Sequence, residues 1–298
     1  MSLMLLDSAS LWYRAYYGMP DSLKAPDGTP VNAIRGYIDM SARLINQYKP
    51  DQIVACLDGD WRPSWRIKLF PLYKANRIED GVELEPETLT QQIPILLELL
   101  DLFGIPIVGV DDFEADDVMA TYAHNSTGAV RIVTGDRDLF QVVDQERDIK
   151  VIYLAKGVSQ HDLVDVSYVS QKYGIPGQRY DLFAMLRGDP SDGLPGVKGI
   201  GEKGAAVIAN LYSTTHEVIE GALNGDSNLP LALAKKILAG SEYLQIAPEL
   251  VRVARNVPLP KVDIDLPRQP EDLSTIYQFK NRYGLGASVD RLIGALGW

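Results

Sequence analysis

The sequence predicts an α/β fold in which a mostly parallel central sheet is flanked by helices. Short apolar runs alternate with longer stretches in which apolar residues recur at helical spacing. The runs are apolar almost throughout, as is typical of strands buried on both faces. Five such runs occupy residues 3–6, 53–57, 105–108, 130–133 and 151–154. Together these observations indicate a parallel sheet with helices on both faces.

The predicted helices of the first half lie between these strands. In the first of them, Ile34, Tyr37, Ile38 and Ile45 recur at the spacing that places side chains on one helical face. The stretches with this pattern are residues 33–48, 89–103 and 113–124. Strand and helix signals therefore alternate as a doubly covered sheet requires.

The character of the chain changes after residue 173. Glycine and proline crowd into residues 188–204, and the stretches 181–187 and 205–212 on either side read as helices. Two helices joined by a glycine-rich connection predict a helix–hairpin–helix, whose small residues allow a phosphate to approach the backbone. We expect a core at 1–172 with an insertion at 61–92, a helix–hairpin–helix region at 173–258, and a C-terminal segment at 259–298 that packs back on the core.

Composition argues against a membrane-spanning or disulfide-stabilised protein. The chain has 298 residues, 46% of them hydrophobic, so it can bury a substantial core. No run approaches the roughly 18 apolar residues that a membrane span needs. The only cysteine, Cys56, lies in an apolar run, which predicts a buried thiol and a reducing, cytoplasmic location. The net charge of −11 decides little about a nucleic-acid partner, because local charge matters more.

Nine carboxylates form the most informative pattern in the chain. They are Asp7, Asp58, Glu114, Asp116, Asp117, Asp136, Asp138, Asp189 and Asp192. Several of them follow predicted strands directly, at the sheet edge where α/β proteins bind ligands. Glu114, Asp116 and Asp117 lie at the start of a predicted helix, where two of them could be direct ligands and one could act through water. Their recurrence at strand ends disfavours the alternative that they are ordinary solvated surface acids.

Clustered carboxylates repel one another and raise one another's pKa, and divalent cations remove that conflict. The three histidines do not neighbour the acids in sequence, so the ligand set consists of oxygen alone. Such a set suits Mg²⁺ or Mn²⁺ and not Zn²⁺. Two ions about 3.5–4 Å apart can clamp a phosphodiester for hydrolysis.

A basic and aromatic stretch follows Asp58. Its basic residues are Arg62, Arg66, Lys68, Lys74 and Arg77, and its aromatic residues are Trp61, Trp65, Phe70 and Tyr73. Cations for phosphates and rings for bases predict a binding site for single-stranded nucleic acid. The alternative, a solvated helix whose aromatic side chains face the core, stays open for Trp61 and Trp65.

The glycine-rich connection also matches a dinucleotide-binding fingerprint between Gly199 and Gly204. That fingerprint requires a preceding strand within a βαβ unit, whereas residues 193–198 contain glycine and proline and have little strand potential. A hairpin that binds phosphate through its backbone, with Lys198 and Lys203 nearby, is the better interpretation. An NAD-dependent oxidoreductase is the weaker alternative.

Six motifs occur in an order that is specific in combination. They are Leu-Leu-Asp at 5–7, Leu-Asp at 57–58, Tyr-Lys-Ala-Asn-Arg at 73–77, Phe-Glu-Ala-Asp-Asp at 113–117, Thr-Gly-Asp-Arg-Asp-Leu at 134–139, and Gly-Asp-Pro-Ser-Asp-Gly-Leu-Pro-Gly-Val-Lys-Gly-Ile-Gly-Glu-Lys at 188–203. In this order they resemble the bacterial and phage 5′ nuclease family, which includes the N-terminal domain of DNA polymerase I and is related to flap endonucleases. The likeness runs from residue 5 to about residue 257.

The resemblance implies a PIN-like 5′ nuclease core with a helical arch over residues 61–92. It implies a first metal surrounded by Asp7, Asp58, Glu114 and Asp116, with Asp117 adjacent, and a second metal surrounded by Asp136, Asp138, Asp189 and Asp192. It also implies that Lys74 and Arg77 contact the scissile phosphate. Further expected nucleic-acid contacts are Arg66, Tyr73 as a base-stacking neighbour, Lys198, Gly199, Gly201 and Lys203. The hairpin would hold K⁺ through the carbonyls of Gly196, Val197 and Ile200.

The expected activity is that of a Mg²⁺- or Mn²⁺-dependent, structure-selective 5′ nuclease. Its expected partners are DNA flaps, nicks and junctions, with RNA–DNA hybrids as further candidate substrates, and we expect a monomer. Two other interpretations stay open: a non-catalytic protein that binds DNA junctions, and an RNA-directed metal nuclease on the same fold.

Overall fold

The computed structural model describes residues 1–79, 82, 83 and 85–298. Of the segment 61–92, in which an arch was predicted, residues 80, 81 and 84 lie outside the described residues. The strands are β1 (Ser2–Asp7), β2 (Gln52–Cys56), β3 (Ile78–Glu79), β4 (Val82–Glu83), β5 (Ile107–Val108), β6 (Ala129–Thr134), β7 (Ile149–Tyr153) and β8 (Asp162–Val164).

Six of the strands form the central sheet, in the order β5-β2-β1-β6-β7-β8, and β3 and β4 form a separate antiparallel pair. All neighbours in the central sheet are parallel except β7 and β8. The predicted mostly parallel sheet is therefore confirmed. From β1 the chain moves outward through β2 to β5 and then returns to β6 on the other side of β1. The gap between β1 and β6 is thus the topological switch point, where open α/β sheets bind their ligands.

The helices are α1 (Ser8–Gly18), α2 (Asn32–Tyr48), α3 (Ser64–Leu69), α4 (Glu87–Thr90), α5 (Ile93–Leu102), α6 (Ala115–Asn125), α7 (Val166–Tyr173), α8 (Tyr180–Arg187), α9 (Glu202–Leu211), α10 (Thr215–Asn224), α11 (Leu231–Ala239), α12 (Ser241–Val251), α13 (Leu273–Arg282) and α14 (Ala287–Leu296). Among the described residues, no helix combines the length and apolarity needed to cross a membrane.

The sheet separates two apolar layers because successive strand residues point to opposite faces. Leu3 and Leu5 of β1 pack in the layer that contains α6. Met4 and Leu6 pack in the other layer, which contains α2. All four side chains are almost completely buried. This two-sided burial explains why the strands are apolar almost throughout.

One predicted helix is divided in the structure, and helix α1 was not predicted. Helix α1 follows β1 without a connecting loop because Asp7 also caps the helix, its Oδ1 accepting the Ser10 N–H at 3.0 Å. The predicted helix over 89–103 is divided into α4 and α5. The last stretch forms two helices, α13 and α14, separated at Gly284 and Gly286, whose φ angles are +60° and +57°. Helix α14 packs against α2, and Arg291 forms an ion pair with Asp39 at 2.8 Å.

The helical region from α8 to α12 packs on the core through α12, which contacts α3. Within the region, α12 also contacts α8. The hairpin between α8 and α9 closes tightly around two glycines with positive φ, Gly188 at +78° and Gly196 at +61°. A Cβ added to Gly188 would lie 2.5 Å from the Gly196 nitrogen, and a Cβ on Gly196 would lie 2.5 Å from the Gly188 nitrogen. No strand precedes Gly199 in this region, so the context that a dinucleotide fingerprint requires is missing.

Candidate active site

Asp7 lies at the switch point, where β1 ends and α1 begins. Its Oδ2 accepts hydrogen bonds from Ser10 Oγ at 2.5 Å and from Thr134 Oγ1 at 2.6 Å. Thr134 is the last residue of β6, so these contacts join the ends of two neighbouring parallel strands. Burial raises the pKa of Asp7, and Asp136 adds to that effect, while the two hydroxyl donors oppose it.

The first turn of α6 brings further acids to the same edge. Glu114 is the N-cap of this helix and forms a capping box with Asp117. The next residue, Ala115, donates its backbone N–H to Asp58 Oδ1 at 2.7 Å. Asp58 keeps contact with solvent, yet its surroundings remove enough water to raise its pKa. The end of β2 and the start of α6 are therefore joined by a candidate ligand.

Glu114 is buried and accepts three side-chain donors. Lys74 Nζ contacts Oε1, Arg66 Nη1 contacts Oε2, and the hydroxyl of Tyr73 donates to Oε2 at 2.8 Å. Burial raises the pKa of Glu114 against the opposing influence of Lys74 and Arg66. Although burial acts to lower the pKa of Lys74, the carboxylates of Glu114 and Asp192 raise it overall, so the ammonium carries its charge.

Arg66 and Asp117 form a buried ion pair behind Glu114. The guanidinium binds both carboxylate oxygens of Asp117 at 2.8 Å, and their side chains are 3% and 0% exposed. Asp117 Oδ1 also accepts the N–H of Ala254 at 2.7 Å. Both oxygens of Asp117 are thus engaged by protein donors, and its predicted place beside the first metal stays a prediction. Arg66 is buried with its charge paired inside the protein, a position that argues against its predicted contact with nucleic acid.

Tyr73 was predicted to stack on a base, and its position does not favour that contact. The residue is 3% exposed and belongs to the apolar layer under α6. Its hydroxyl is directed to Glu114 instead of to solvent. The position of Tyr73 favours the alternative that aromatic side chains of this stretch face the core. These three residues, Arg66, Tyr73 and Asp117, support the acidic site from behind.

A second set of acids comes from the loop after β6 and from the hairpin. Asp138 donates its backbone N–H to Asp136 Oδ1 at 2.9 Å, which sets the turn that carries both side chains. Backbone hydrogen bonds of 2.9 and 2.8 Å between Asp189 and Leu194 close a short loop that presents Asp192. The Asp192 carboxylate is paired with Arg77.

The acids of this set repel one another. The pKa of Asp138 lies well above its ordinary value, because of burial first and then because of Asp136 and Asp192. The pKa of Asp116 is raised in the same way, by burial first and then by Asp136 and Asp7. Burial raises the pKa of Asp192 to about 6 even though Lys74 and Arg77 oppose it. The acids of the two predicted metal sites therefore influence one another through space.

We call Asp116, Asp136 and Asp138 the uncompensated group and Glu114 with Asp117 the compensated group. Within the described part of the chain, no cation forms an ion pair with the uncompensated group, whereas Arg66 and Lys74 neutralise the compensated one. No three carboxylates, imidazoles or thiols among the described residues are arranged to hold one metal ion as they stand. Side-chain rotation, including release of Glu114 from Lys74, is thus needed before an ion could be shared.

Lys74 and Arg77 lie beside the acids, where they pair with Glu114 and Asp192. Lys74 has a positive φ of +50°, and its backbone N–H donates to the Asp192 carbonyl at 2.9 Å. Arg62 fixes the preceding loop by donating to the carbonyls of Tyr73 and Pro71 at 2.6 and 2.7 Å. The two cations are thereby anchored to the loop that carries Asp192.

The hairpin exposes its predicted phosphate-binding residues, Lys198, Gly199, Gly201 and Lys203. The predicted K⁺ ligands Gly196, Val197 and Ile200 are buried. The Val197 carbonyl accepts the Ile200 N–H at 2.9 Å, and the Gly199 carbonyl accepts Lys236 Nζ at 2.7 Å. A protein ammonium thus lies at the Gly199 carbonyl, next in the chain to the predicted ligand Ile200, and the K⁺ ion stays a prediction.

Sequence reasoning missed Ser10, Thr134, Arg62 and Lys236 as supporting residues. A serine three residues after Asp7 is the spacing of a helix cap, and this signal could have identified Ser10. Thr134 could have been noticed as the polar end of a buried strand. Arg62 and Lys236 act on backbone carbonyls, and nothing in the local sequence indicates such contacts.

Comparison with known proteins gives consistent matches along the chain. Residues 2–174 match the family model described as 5'-3' exonuclease, N-terminal resolvase-like domain, and residues 175–274 match 5'-3' exonuclease, C-terminal SAM fold. A 5'-3' exonuclease of Streptomyces coelicolor is 47% identical over 98% of this chain and 99% of its own length. A 5'-3' exonuclease of Mycobacterium tuberculosis is 41% identical over 99% of this chain and 97% of its own length.

Two solved structures share the fold at low sequence identity. The T5 D15 flap endonuclease, in a pseudo-enzyme-product complex with DNA and metal ions, superposes with a TM-score of 0.64 at 16% identity and covers 100% of both chains. The catalytic core of Rad2 in complex with DNA substrate superposes with a TM-score of 0.59 at 19% identity, covering 98% of this chain and 91% of that one. Both structures have the same fold as this chain.

Proposed function

Because the chain belongs to the 5′-3′ exonuclease family, we propose that it is a structure-selective 5′ nuclease. It hydrolyses phosphodiesters near junctions of single-stranded and duplex DNA, as a 5′-3′ exonuclease and as a 5′-flap endonuclease. One observation carries the proposal: acids from β1, β2, α6, the loop after β6 and the hairpin influence one another's pKa at the switch point of the sheet. Such an arrangement is unfavourable without external cations.

The donor set fits Mg²⁺ or Mn²⁺. Asp7, Asp58, Glu114 and Asp116 are the proposed ligands of one ion, and Asp136, Asp138, Asp189 and Asp192 those of a second. All of these donors are carboxylate oxygens, and oxygen donors are the ligands that these hard cations prefer. When bound, the ions would supply positive charge to the phosphodiester and make water a stronger nucleophile.

The chain's own cations perform the remaining tasks. Lys74 Nζ and the Arg77 guanidinium are held at the acidic edge by Glu114 and Asp192, so both are in place before substrate arrives. We assign them to the scissile phosphate, where a fixed positive charge stabilises the charge that develops during hydrolysis. Arg66 and Tyr73 hold Glu114 from behind and act as positioning residues. The exposed hairpin residues Lys198 and Lys203 are assigned to the duplex backbone.

The direct test is to digest a 5′-labelled flap duplex in Mg²⁺ and to size the products. Cleavage near the junction in Mg²⁺, with none in EDTA, is the expected result. A matched single strand without a duplex should be cut more slowly, since the hairpin then has no duplex to bind. A protein that binds the flap duplex but never cleaves it in Mg²⁺ or Mn²⁺ would be a junction-binding protein instead.

An RNA-flap substrate run side by side with the DNA flap separates the last alternative. We propose DNA as the principal substrate and RNA primers on DNA as a further one, for a monomer that acts in cytoplasmic DNA replication and repair. Much faster cleavage of single-stranded or duplex RNA than of either flap substrate would favour an RNA-directed nuclease.

A further inference from the structure

Helix α11 delivers a lysine to the glycine-rich hairpin from 37 residues away in the chain. Lys236 Nζ donates to the carbonyl of Gly199 at 2.7 Å. The lysine stem lies across the glycine, because a Cβ added to Gly199 would lie 3.2 Å from Lys236 Cε. Gly199 also has a φ of +82°, which favours glycine at this position. The backbone conformation favours glycine here, and the absence of a side chain lets the lysine stem lie close against the backbone.

Packing fixes α11 against the hairpin. Ile237 of α11 and Val197 of the hairpin are both buried in the same apolar layer. At the end of α11, a Cβ added to Gly240 would lie only 3.0 Å from Val197 Cγ1. The ammonium of Lys236 is therefore held at the hairpin by the fold of the helical region and not only by one hydrogen bond.

The ammonium retains capacity to bind an anion. A lysine ammonium has three N–H donors, of which the Gly199 carbonyl uses one. Lys236 is partly exposed, and the exposed residues Lys198 and Lys203 lie in the same hairpin. Lys198 and Lys203 border the turn together with one acid, Glu202, so that with Lys236 the charge of the turn is net positive and suits the phosphates of a nucleic-acid backbone.

We propose that Lys236 is the hairpin's own cation and contacts a backbone phosphate of duplex DNA, in place of the K⁺ ion that the family resemblance implies. The proposal rests on the proposed nuclease function, because it takes duplex DNA as the ligand. A tethered ammonium at the Gly199 carbonyl supplies the positive charge there and disfavours a second cation beside it. Duplex binding should therefore be independent of the identity of the monovalent cation.

The experiment measures the binding of a fluorescent nicked duplex by anisotropy, in EDTA so that no cleavage occurs. Wild-type protein is compared with Lys236→Met, Lys236→Arg and the neighbouring exposed control Lys235→Met, in KCl, NaCl and tetramethylammonium chloride at equal ionic strength. Wild type should bind equally in all three salts. Lys236→Met should lose about threefold to tenfold in affinity, and its slope of log affinity against log salt should become shallower by about 0.9, the value for one phosphate contact.

Two further results are expected. Lys236→Arg should stay close to wild type because the charge is retained. Lys236→Met should bind better in KCl than in tetramethylammonium chloride, because K⁺ can approach the hairpin carbonyls once the repelling ammonium is gone. Thermal unfolding of each variant checks that the helical region is intact.

Three outcomes would overturn the proposal. The first is a wild-type affinity that falls when tetramethylammonium replaces K⁺, and the second is an unchanged affinity in Lys236→Met. The third is an equal loss in Lys235→Met, which would reduce the effect to general surface charge. Wild-type protein that binds duplex but fails these tests leaves the nuclease function intact, whereas wild-type protein that binds no DNA in any salt overturns both.

Discussion

The compensated and uncompensated groups of acids lie side by side but are built in opposite ways. Glu114 and Asp117 are buried with Arg66 and Lys74, so that each negative charge has a cation within the protein. In the uncompensated group, burial and like charges raise the pKa of Asp116 and Asp138 well above ordinary values. The first arrangement is stable in the protein alone, whereas the second one needs cations from outside. The difference indicates that the Arg66–Asp117 pair is structural, whereas Asp116 and Asp138 await a cation.

The largest effect should come from removing a member of the uncompensated group. Asp138→Asn should reduce flap cleavage by about 10³-fold, the upper end of what one fixed electrostatic contact contributes to catalysis. Binding to the same flap duplex should persist, because the hairpin is unchanged. The same variant should unfold at a higher temperature than wild type in EDTA, since one of the repelling charges is gone.

Asp101→Asn is the matched control, because Asp101 is exposed at the end of α5. Steady-state cleavage, anisotropy and thermal unfolding are measured for both variants. Full activity in Asp138→Asn, or a lower unfolding temperature in EDTA, would mean that Asp138 is not a repelled member of the site.

A change in the compensated group should instead cost folding stability. Arg66→Met leaves the fully buried Asp117 without its partner, and removing one partner of a buried ion pair costs about 3–5 kcal/mol. Arg66→Lys keeps the charge but loses the two-pronged geometry of the guanidinium, so its loss should be smaller. The free energy of unfolding in urea, with Lys68→Met on the same helix as control, gives the comparison. Unaltered stability in Arg66→Met would show that the pair is dispensable.

Lys74 lies between the two groups and should show a mixed effect. Lys74→Met should lower the cleavage rate by about 10²–10³-fold, as is typical when one fixed donor to developing charge is removed. The same change should tighten Mn²⁺ binding, because Glu114 no longer has to leave the ammonium. Free Mn²⁺ is measured by electron paramagnetic resonance, again with Lys68→Met as control. Weaker Mn²⁺ binding in Lys74→Met would contradict a competition for Glu114.

The smallest effect is a pH dependence of stability. A carboxyl whose pKa is raised in the folded state binds more protons there than in the unfolded state. Its contribution to stability therefore falls as the pH rises from the unfolded pKa to the folded pKa. For Asp192 these pKa values are 3.8 and about 6. Mn²⁺ binds the deprotonated acids, so the gain in unfolding temperature that it produces should be several degrees larger at pH 7.5 than at pH 5. In Asp138→Asn this difference should shrink. An equal Mn²⁺ gain at both pH values in wild type would argue against raised pKa values in the site.

The sequence was sufficient for the position of the acids but not for the direction of their supporting side chains. Asp7, Asp58 and Asp136 follow strands that run parallel, and parallel strands end at the same edge, so their proximity follows from the apolar pattern alone. The directions of Arg66 and Tyr73 depend on how α3 packs. Arg66 meets the backbone of Arg252, which is 186 residues away in sequence, so no local pattern could place it.

Strand β8 and the contact of Lys236 with Gly199 were not predicted for the same reason. The short antiparallel strand β8 has three residues and no extended apolar pattern of its own, and it forms by pairing with β7. The contact of Lys236 with Gly199 joins residues that are 37 positions apart in the chain. A lysine on a helix surface gives no sequence signal of the residue that it contacts. In both cases tertiary contacts decide what local sequence leaves open.

The most direct measurement is the anomalous diffraction of a crystal grown in Mn²⁺. We expect two Mn²⁺ peaks at the switch point, one among Asp7, Asp58, Glu114 and Asp116 and one among Asp136, Asp138, Asp189 and Asp192. We also expect Lys74 to have left Glu114 while Arg66 keeps its pair with Asp117. Absence of any peak there at saturating Mn²⁺, with the Lys74–Glu114 pair unchanged, would contradict a site built for divalent cations.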